Sequence, residues 1–347
     1  MTVTPRVILL SCVSLLFAAS ALAQTTTQPA VHRWVDWQSA TLDARYRFIA
    51  NSDGQTTTDQ IQHRQTLKVG FRIDEDGRYS VQSFVGTGNS FVGSWDPLGP
   101  GTGDATWDPN VRQLFFAARP VNGLELQAGG FGVVRGESTE ITSFDYDGYM
   151  TGERVSIGRP RELFLDDITV TVGFLGDLAT PNVFHRMDRL DDHNFTQVLA
   201  GKRVGSRVSA SADWTSLEGI STLREAVRVG TKHWLPVDAI RLEGYQRVEG
   251  RRGAGFAVTV ERALADRILL DGGYADIDRA NGVLNGDRYS PGHRVFAEGR
   301  IAVLPSLTVT TFYGVAIDSD GPLANRHRLD VIASWNVLKA VRGGGLW

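Results

Sequence analysis

The amino-acid sequence predicts an all-β fold: a single antiparallel β-barrel that spans a membrane with about sixteen strands (roughly 14–18). Three observations carry that prediction. Side-chain character alternates residue by residue along segment after segment, which is the period of a strand with one apolar and one polar face. The segments run to about ten residues each. The connections between them alternate between long and short.

In the first strand Ala40, Leu42, Ala44, Tyr46 and Phe48 alternate with Thr41, Asp43, Arg45 and Arg47 without a break. The second sets Leu67, Val69, Phe71 and Ile73 against Thr66, Lys68, Gly70 and Arg72, and Asp74-Glu75-Asp76-Gly77 closes a tight turn after it. A third strand, near Tyr79–Val85, leads into a glycine- and proline-rich loop that ends near Asn110. Further strands are expected near Val111–Arg119, Leu124–Val134, Thr151–Ile157, Ile168–Leu175, Asn194–Val204 and Arg207–Trp214. The latter half adds Thr222–Lys232, Ala239–Val248, Gly253–Glu261, Arg267–Ala275 and Arg294–Ala302. The last two strands, joined by a polar loop, alternate in the same way. Leu307, Val309, Tyr313, Val315 and Ile317 oppose Thr308, Thr310, Phe312 and Gly314; Leu329, Val331, Ala333, Trp335 and Val337 oppose Arg328, Asp330, Ser334 and Asn336.

Long connections are expected at 51–62, 86–110, 135–150, 176–193, 215–221, 249–252, 278–292 and 318–325. Between them fall short ones, Asp74–Gly77, Pro120–Gly123, Gly205–Ser206, Leu235–Asp238 and Leu304–Ser306. That rhythm is the signature of a bacterial outer-membrane barrel, with long loops outside and short turns on the periplasmic side. Soluble sandwiches also alternate, with the apolar face inward, but mix their connection lengths. About ten residues at roughly 3.3 Å each, tilted near 45°, climb about 24 Å, the height of the apolar band of such barrels.

The N-terminal end fits export. Arg6 precedes an apolar run from Val7 to Leu22, and Ala21-Leu22-Ala23 forms a cleavage site before Gln24. Residues 1–23 are therefore expected to be a secretory signal peptide, and residues 24–347 one barrel domain. Cys12 is the only cysteine, so the mature chain is expected to hold no disulfide. A net charge of −3 argues against nucleic acid as a partner, and 38 glycines suit a strand-and-turn chain.

If the apolar parity faces lipid, the other parity lines the interior. Arg45, Arg47, Lys68, Arg72, Arg224, Arg228, Arg241, Arg294, Arg300 and Arg328 then point inward, with Asp43, Asp213, Glu243, Asp271, Glu298 and Asp330. A dry core does not tolerate that many ionisable groups, whereas a wet lumen does. A solvated outer face of a soluble sheet would explain the same charges. On the lipid parity, Tyr46, Phe48, Tyr79, Trp214, Tyr274, Tyr313 and Trp335 suit interfacial girdles.

The third long loop, Arg135 to Tyr149, reads RGESTEITSFDYDGY and gathers Glu137, Glu140, Asp145 and Asp147. Sixteen strands, a signal peptide and an acidic third loop resemble the general bacterial porins. The resemblance implies a homotrimer in the outer membrane whose third loop folds into the barrel. There its acids would face Arg45, Arg47, Lys68, Arg72, Arg224, Arg228, Arg300 and Arg328 across a charged constriction, through which small hydrophilic solutes diffuse. The family's usual Pro-Glu-Phe-Gly-Gly segment is absent from this loop, and the chain ends in Trp347 where that family usually has Phe. Substrate-specific barrels for sugar or polysaccharide are close alternatives.

Other chemistries find less support. Asp145-Tyr146-Asp147-Gly148 with Glu153 misses the ligand spacing of an EF-hand, so no metal or other cofactor is expected. An enzymatic barrel would require a nucleophile supported by a histidine. His32, His63, His185, His193, His233, His293 and His327 sit in no such motif, and the acids around His185 and His193 (Asp188, Asp191, Asp192) lack H-E-x-x-H spacing.

Overall fold

A computed structural model of the chain describes residues 34–342, apart from 52, 91–92, 145–147, 159–163, 177–179, 249–252, 279–286, 290–291 and 318–325. The expected signal peptide therefore lies outside the described residues. Seventeen strands form one sheet. They are β1 (Val35–Ala50), β2 (Thr56–Arg72), β3 (Tyr79–Gly86), β4 (Asp96–Gly101), β5 (Asn110–Ala118), β6 (Leu124–Gly132), β7 (Tyr149–Gly158) and β8 (Asp167–Phe174). After them come β9 (Phe195–Val204), β10 (Val208–Leu217), β11 (Ile220–Gly230), β12 (Ala239–Arg247), β13 (Ala254–Ala265), β14 (Ile268–Ile277), β15 (Gly292–Leu304), β16 (Leu307–Ala316) and β17 (His327–Asn336).

Sixteen of these close into a barrel. Each pairs antiparallel with its neighbours, and β1 pairs with both β2 and β17, from Thr41↔Asn336 to Ala50↔His327. Closure leaves no free edge, the condition for a sheet to sit in lipid. The exception is β4, which is part of the β3–β5 connection and only extends the rim of β2, where Gln60 opposes Gly101 and His63 opposes Asp96.

The sheet is polar inside and apolar outside. Along β1, Leu42 and Tyr46 are 44% and 38% exposed, whereas Asp43, Arg45 and Arg47 between them are 6%, 5% and 8% exposed. The same inversion runs along β17, where Arg328 and Asp330 are buried. Tyr46, Tyr79, Trp214 and Tyr313 are exposed on the outer face, while Phe48, Tyr274 and Trp335 are half-buried there. Carboxylates interrupt the outward apolar parity in the middle of two strands. Glu153 on β7 and Glu225 on β11 are exposed, opposite in parity to the inward Arg154 and Arg224. Their cross-strand neighbours are Ala128 and Val172, and Ala212 and Gly244.

Two expected loops are much shorter than the sequence suggested. The 215–221 connection is a two-residue turn between Leu217 and Ile220, with Glu218 at φ 52° and Gly219 at φ 80°. Both central residues thus take the positive φ of a type I′ hairpin. The 51–62 connection shrinks to residues 51–55, because β2 begins at Thr56. The expected strand end at Val337 instead starts a short helix, α1 (Val337–Arg342), which lies against β1.

Candidate functional site

The segment between β6 and β7 turns into the barrel and is held there by side chains of interior parity. Gln197 donates to the Val134 carbonyl at 3.0 Å, and the Glu137 N–H donates to Ser211 Oγ at 2.8 Å. The Glu243 carboxylate accepts from the Thr139 N–H, the Thr139 hydroxyl and the Thr142 hydroxyl at 2.7, 2.8 and 2.8 Å. Arg224 Nε donates to the Thr142 carbonyl at 3.0 Å. Two apolar pads complete the docking. Ile141 packs among Tyr245, Ala257, Ala275, Ile277, Tyr289, Phe296 and Phe312, and Phe144 packs with Phe131 and Phe195.

On the β17–β1–β2 wall stands an arginine cluster. Arg47 and Arg328 share Asp330, at 3.0 and 2.7 Å, and Arg64 pairs with Asp43 at 2.8 Å. Arg45 Nε donates to Gln62 Oε1 at 2.7 Å. Residue 95, in the β3–β5 connection, adds an aromatic plate: the guanidinium carbons of Arg45 and Arg64 lie 4.1 and 4.6 Å from the Trp95 ring centroid. Such contacts contribute about 0.5–2 kcal/mol each and fix the planes of both guanidinium groups.

A third inward segment comes from the β14–β15 connection. Arg288 bridges Glu298 on β15, at 3.0 Å, to Glu140 on the inward loop, at 3.7 Å. Burial opposes its charge, but Glu140 and then Tyr289 and Glu298 together hold the guanidinium more firmly protonated than usual. Tyr289 stands edge-on to Phe296 and Phe312, and burial, reinforced by Glu140, pushes its phenol up. Arg300 closes the row at 2.9 Å from Glu298.

These groups enclose a cavity of about 500 Å³. Of the residues expected at a constriction, Arg45, Arg47, Arg300, Arg328, Glu137 and Glu140 line it. Lys68 and Arg72 stand nearer the short-turn end. The Lys68 ammonium is 5.1 Å from the Phe84 ring, and Arg72 lines a second cavity. Arg224 lies beneath the inward loop, where it anchors Thr142 and pairs with Asp213 at 3.3 Å. Arg228 pairs with Glu261 at 2.5 Å, away from the cavity lining. Asp145 and Asp147 lie outside the described residues.

Sequence reasoning did not single out Gln62, Arg64, Trp95, Arg135, Arg288 or Tyr289, all of which line the cavity. With them the lining holds eight arginines against four carboxylates among the described residues. Asp43, Asp330 and Glu261 pair with Arg64, Arg47, Arg328 and Arg241 from just outside that lining, which leaves a small positive excess for the low-dielectric sheet to focus. Among the described residues, no group of three or more His, Cys, Asp or Glu side chains is placed to hold a metal.

Fold and lumen together define a class, the sixteen-stranded barrel whose charged interior is narrowed by inward loops. Solved structures of bacterial porins share the architecture. A mutant porin of Rh. blastica matches with a TM-score of 0.56 at 12% identity, covering 86% of this chain and 99% of that one. Salmonella typhi OmpF, solved in complex with daunomycin, matches with a TM-score of 0.59 at 9% identity, covering 87% and 97%. No protein-family model and no curated protein sequence matches the chain. The likeness is one of fold: this chain has the fold of the bacterial porins.

Proposed function

We propose that the chain is an outer-membrane channel through which small hydrophilic solutes and ions diffuse passively, with a bias toward anions. One observation carries the reading: charged side chains are enclosed by a closed sheet whose apolar side chains are exposed. Outward apolar residues suit lipid, and an enclosed arginine-rich lumen suits water and anions. Width would exclude large solutes, while the excess of arginine over carboxylate would raise the local concentration of anions. Nothing in this mechanism calls for catalysis.

The reading includes export by cleavage after Ala23, outer-membrane lipid as surroundings, and assembly as a homotrimer, which the family resemblance supports. Purified protein in a planar lipid bilayer tests the channel. Discrete conductance steps and a reversal potential on the anion side are expected in a salt gradient, and replacing Arg45 and Arg47 together by Ala should move that potential toward zero. Cation selectivity in the unaltered protein would remove the wall arginines from the filter. Chemical cross-linking in membranes tests the trimer, with bands up to three chains expected and monomer alone counting against it.

A further inference from the structure

We infer that the short-turn end of the lumen holds a binding subsite for neutral, polyhydroxylated solutes of the size of a mono- or disaccharide. The inference rests on the channel reading above. A second cavity of about 370 Å³ opens there, within the size range of small-molecule sites. Its chemistry differs from that of the arginine-lined cavity. Arg72 and Arg119, the latter paired with Glu125 at 2.8 Å, share the lining with Asp36 and Asp76, so it carries nearly balanced charge and offers little to select an ion.

The distinguishing feature is a bed of amides. Gln38 Nε2 donates to Gln82 Oε1 at 2.6 Å, and Gln82 Nε2 donates to Ser80 Oγ at 2.8 Å. Gln127 Nε2 donates to Glu125 Oε1 at 2.5 Å and its carbonyl accepts from Arg154 at 3.1 Å. Gly70 makes room for the bed: a Cβ there would lie 2.9 Å from Gln38 Nε2 and 3.0 Å from Gln82 Oε1. Each amide has two donor hydrogens and two acceptor lone pairs, so the bonds within the bed leave capacity of both kinds. Hydroxyl groups, which both donate and accept, match that surface, whereas a simple anion or cation uses only half of it. The Phe115 ring, also in the lining, adds an apolar face for the C–H side of a sugar ring.

The test is single-channel current with sucrose added on the short-turn side, and polyethylene glycol of matched size as the control for simple volume exclusion. Sucrose should reduce the current with saturation and added noise, while polyethylene glycol should reduce it without saturating. Replacing Gln38 and Gln82 together by Ala should weaken half-saturation at least tenfold and leave the reversal potential unchanged. Arg45→Ala should do the reverse. A conducting protein in which sucrose behaves like polyethylene glycol, or saturates equally well in the double variant, overturns the subsite alone. Failure to conduct at all overturns the channel and the subsite together.

Discussion

The inward loop is held by one carboxylate more than by any other group, so Glu243 is the place to loosen it. Its three hydrogen bonds to Thr139 and Thr142 are charge-assisted, and such bonds contribute roughly 1.5–3 kcal/mol each. Freed donors would be hydrated by lumen water, which returns much of that energy and leaves a net loss of about 2–4 kcal/mol on Glu243→Ala. Burial of Ile141 contributes about 1.5–3 kcal/mol and survives the change. A net loss of about 2 kcal/mol raises the detached population roughly thirtyfold. The single variant should therefore show noisier open-channel current with loop excursions, and Glu243→Ala with Ile141→Ala should show a sustained rise in conductance. Single-channel recording reads both. Quiet, wild-type current in the double variant would refute the claim that these contacts hold the loop in the pore.

Other consequences follow from the same geometry. Trp95→Ala removes the plate between Arg45 and Arg64 and should weaken anion preference without abolishing it, read as a reversal potential between those of wild type and the Arg45→Ala variant. On the outer face, Glu153→Leu and Glu225→Leu should each stabilise the barrel by about 1–2 kcal/mol, less than the roughly 2–4 kcal/mol that a midplane Arg or Lys costs. Denaturant unfolding in lipid vesicles measures this, and destabilisation would show that the carboxylates meet protein and not lipid. Arg288→Met cuts the bridge between Glu140 and Glu298 and should shift selectivity toward cations, since it leaves both carboxylates in the lumen with one fewer counter-charge. An unchanged reversal potential would place that bridge outside the ion path.

The barrel was legible wherever a strand keeps its apolar side chains on one face and its polar ones on the other. Leu42, Ala44 and Tyr46 against Asp43, Arg45 and Arg47 are such a case, and the structure separates them face by face. The upper half of β2 was not legible for the same physical reason. From Thr56 to Thr66 it reads TTTDQIQHRQT, polar on both faces, so the period-two signal vanishes and Arg64 went unnoticed. The Glu218-Gly219 turn was hidden because a positive φ at Glu is uncommon. Trp95, Arg288 and Tyr289 come from loops, and their place in the lumen depends on docking against distant strands that no local pattern encodes. Arg224 had the correct parity, but parity alone does not tell a pore-facing arginine from one lying under a loop.

Cysteine substitution along β1 tests the inside-out barrel most directly, because Cys12 is the only cysteine in the sequence and falls within the expected signal peptide. Single cysteines would be placed from residue 42 to residue 47, and a charged, membrane-impermeant thiol reagent applied during bilayer recording. Current should fall on labelling positions 43, 45 and 47 and stay unchanged at 42, 44 and 46. Block at the even positions with silence at the odd ones would contradict the account.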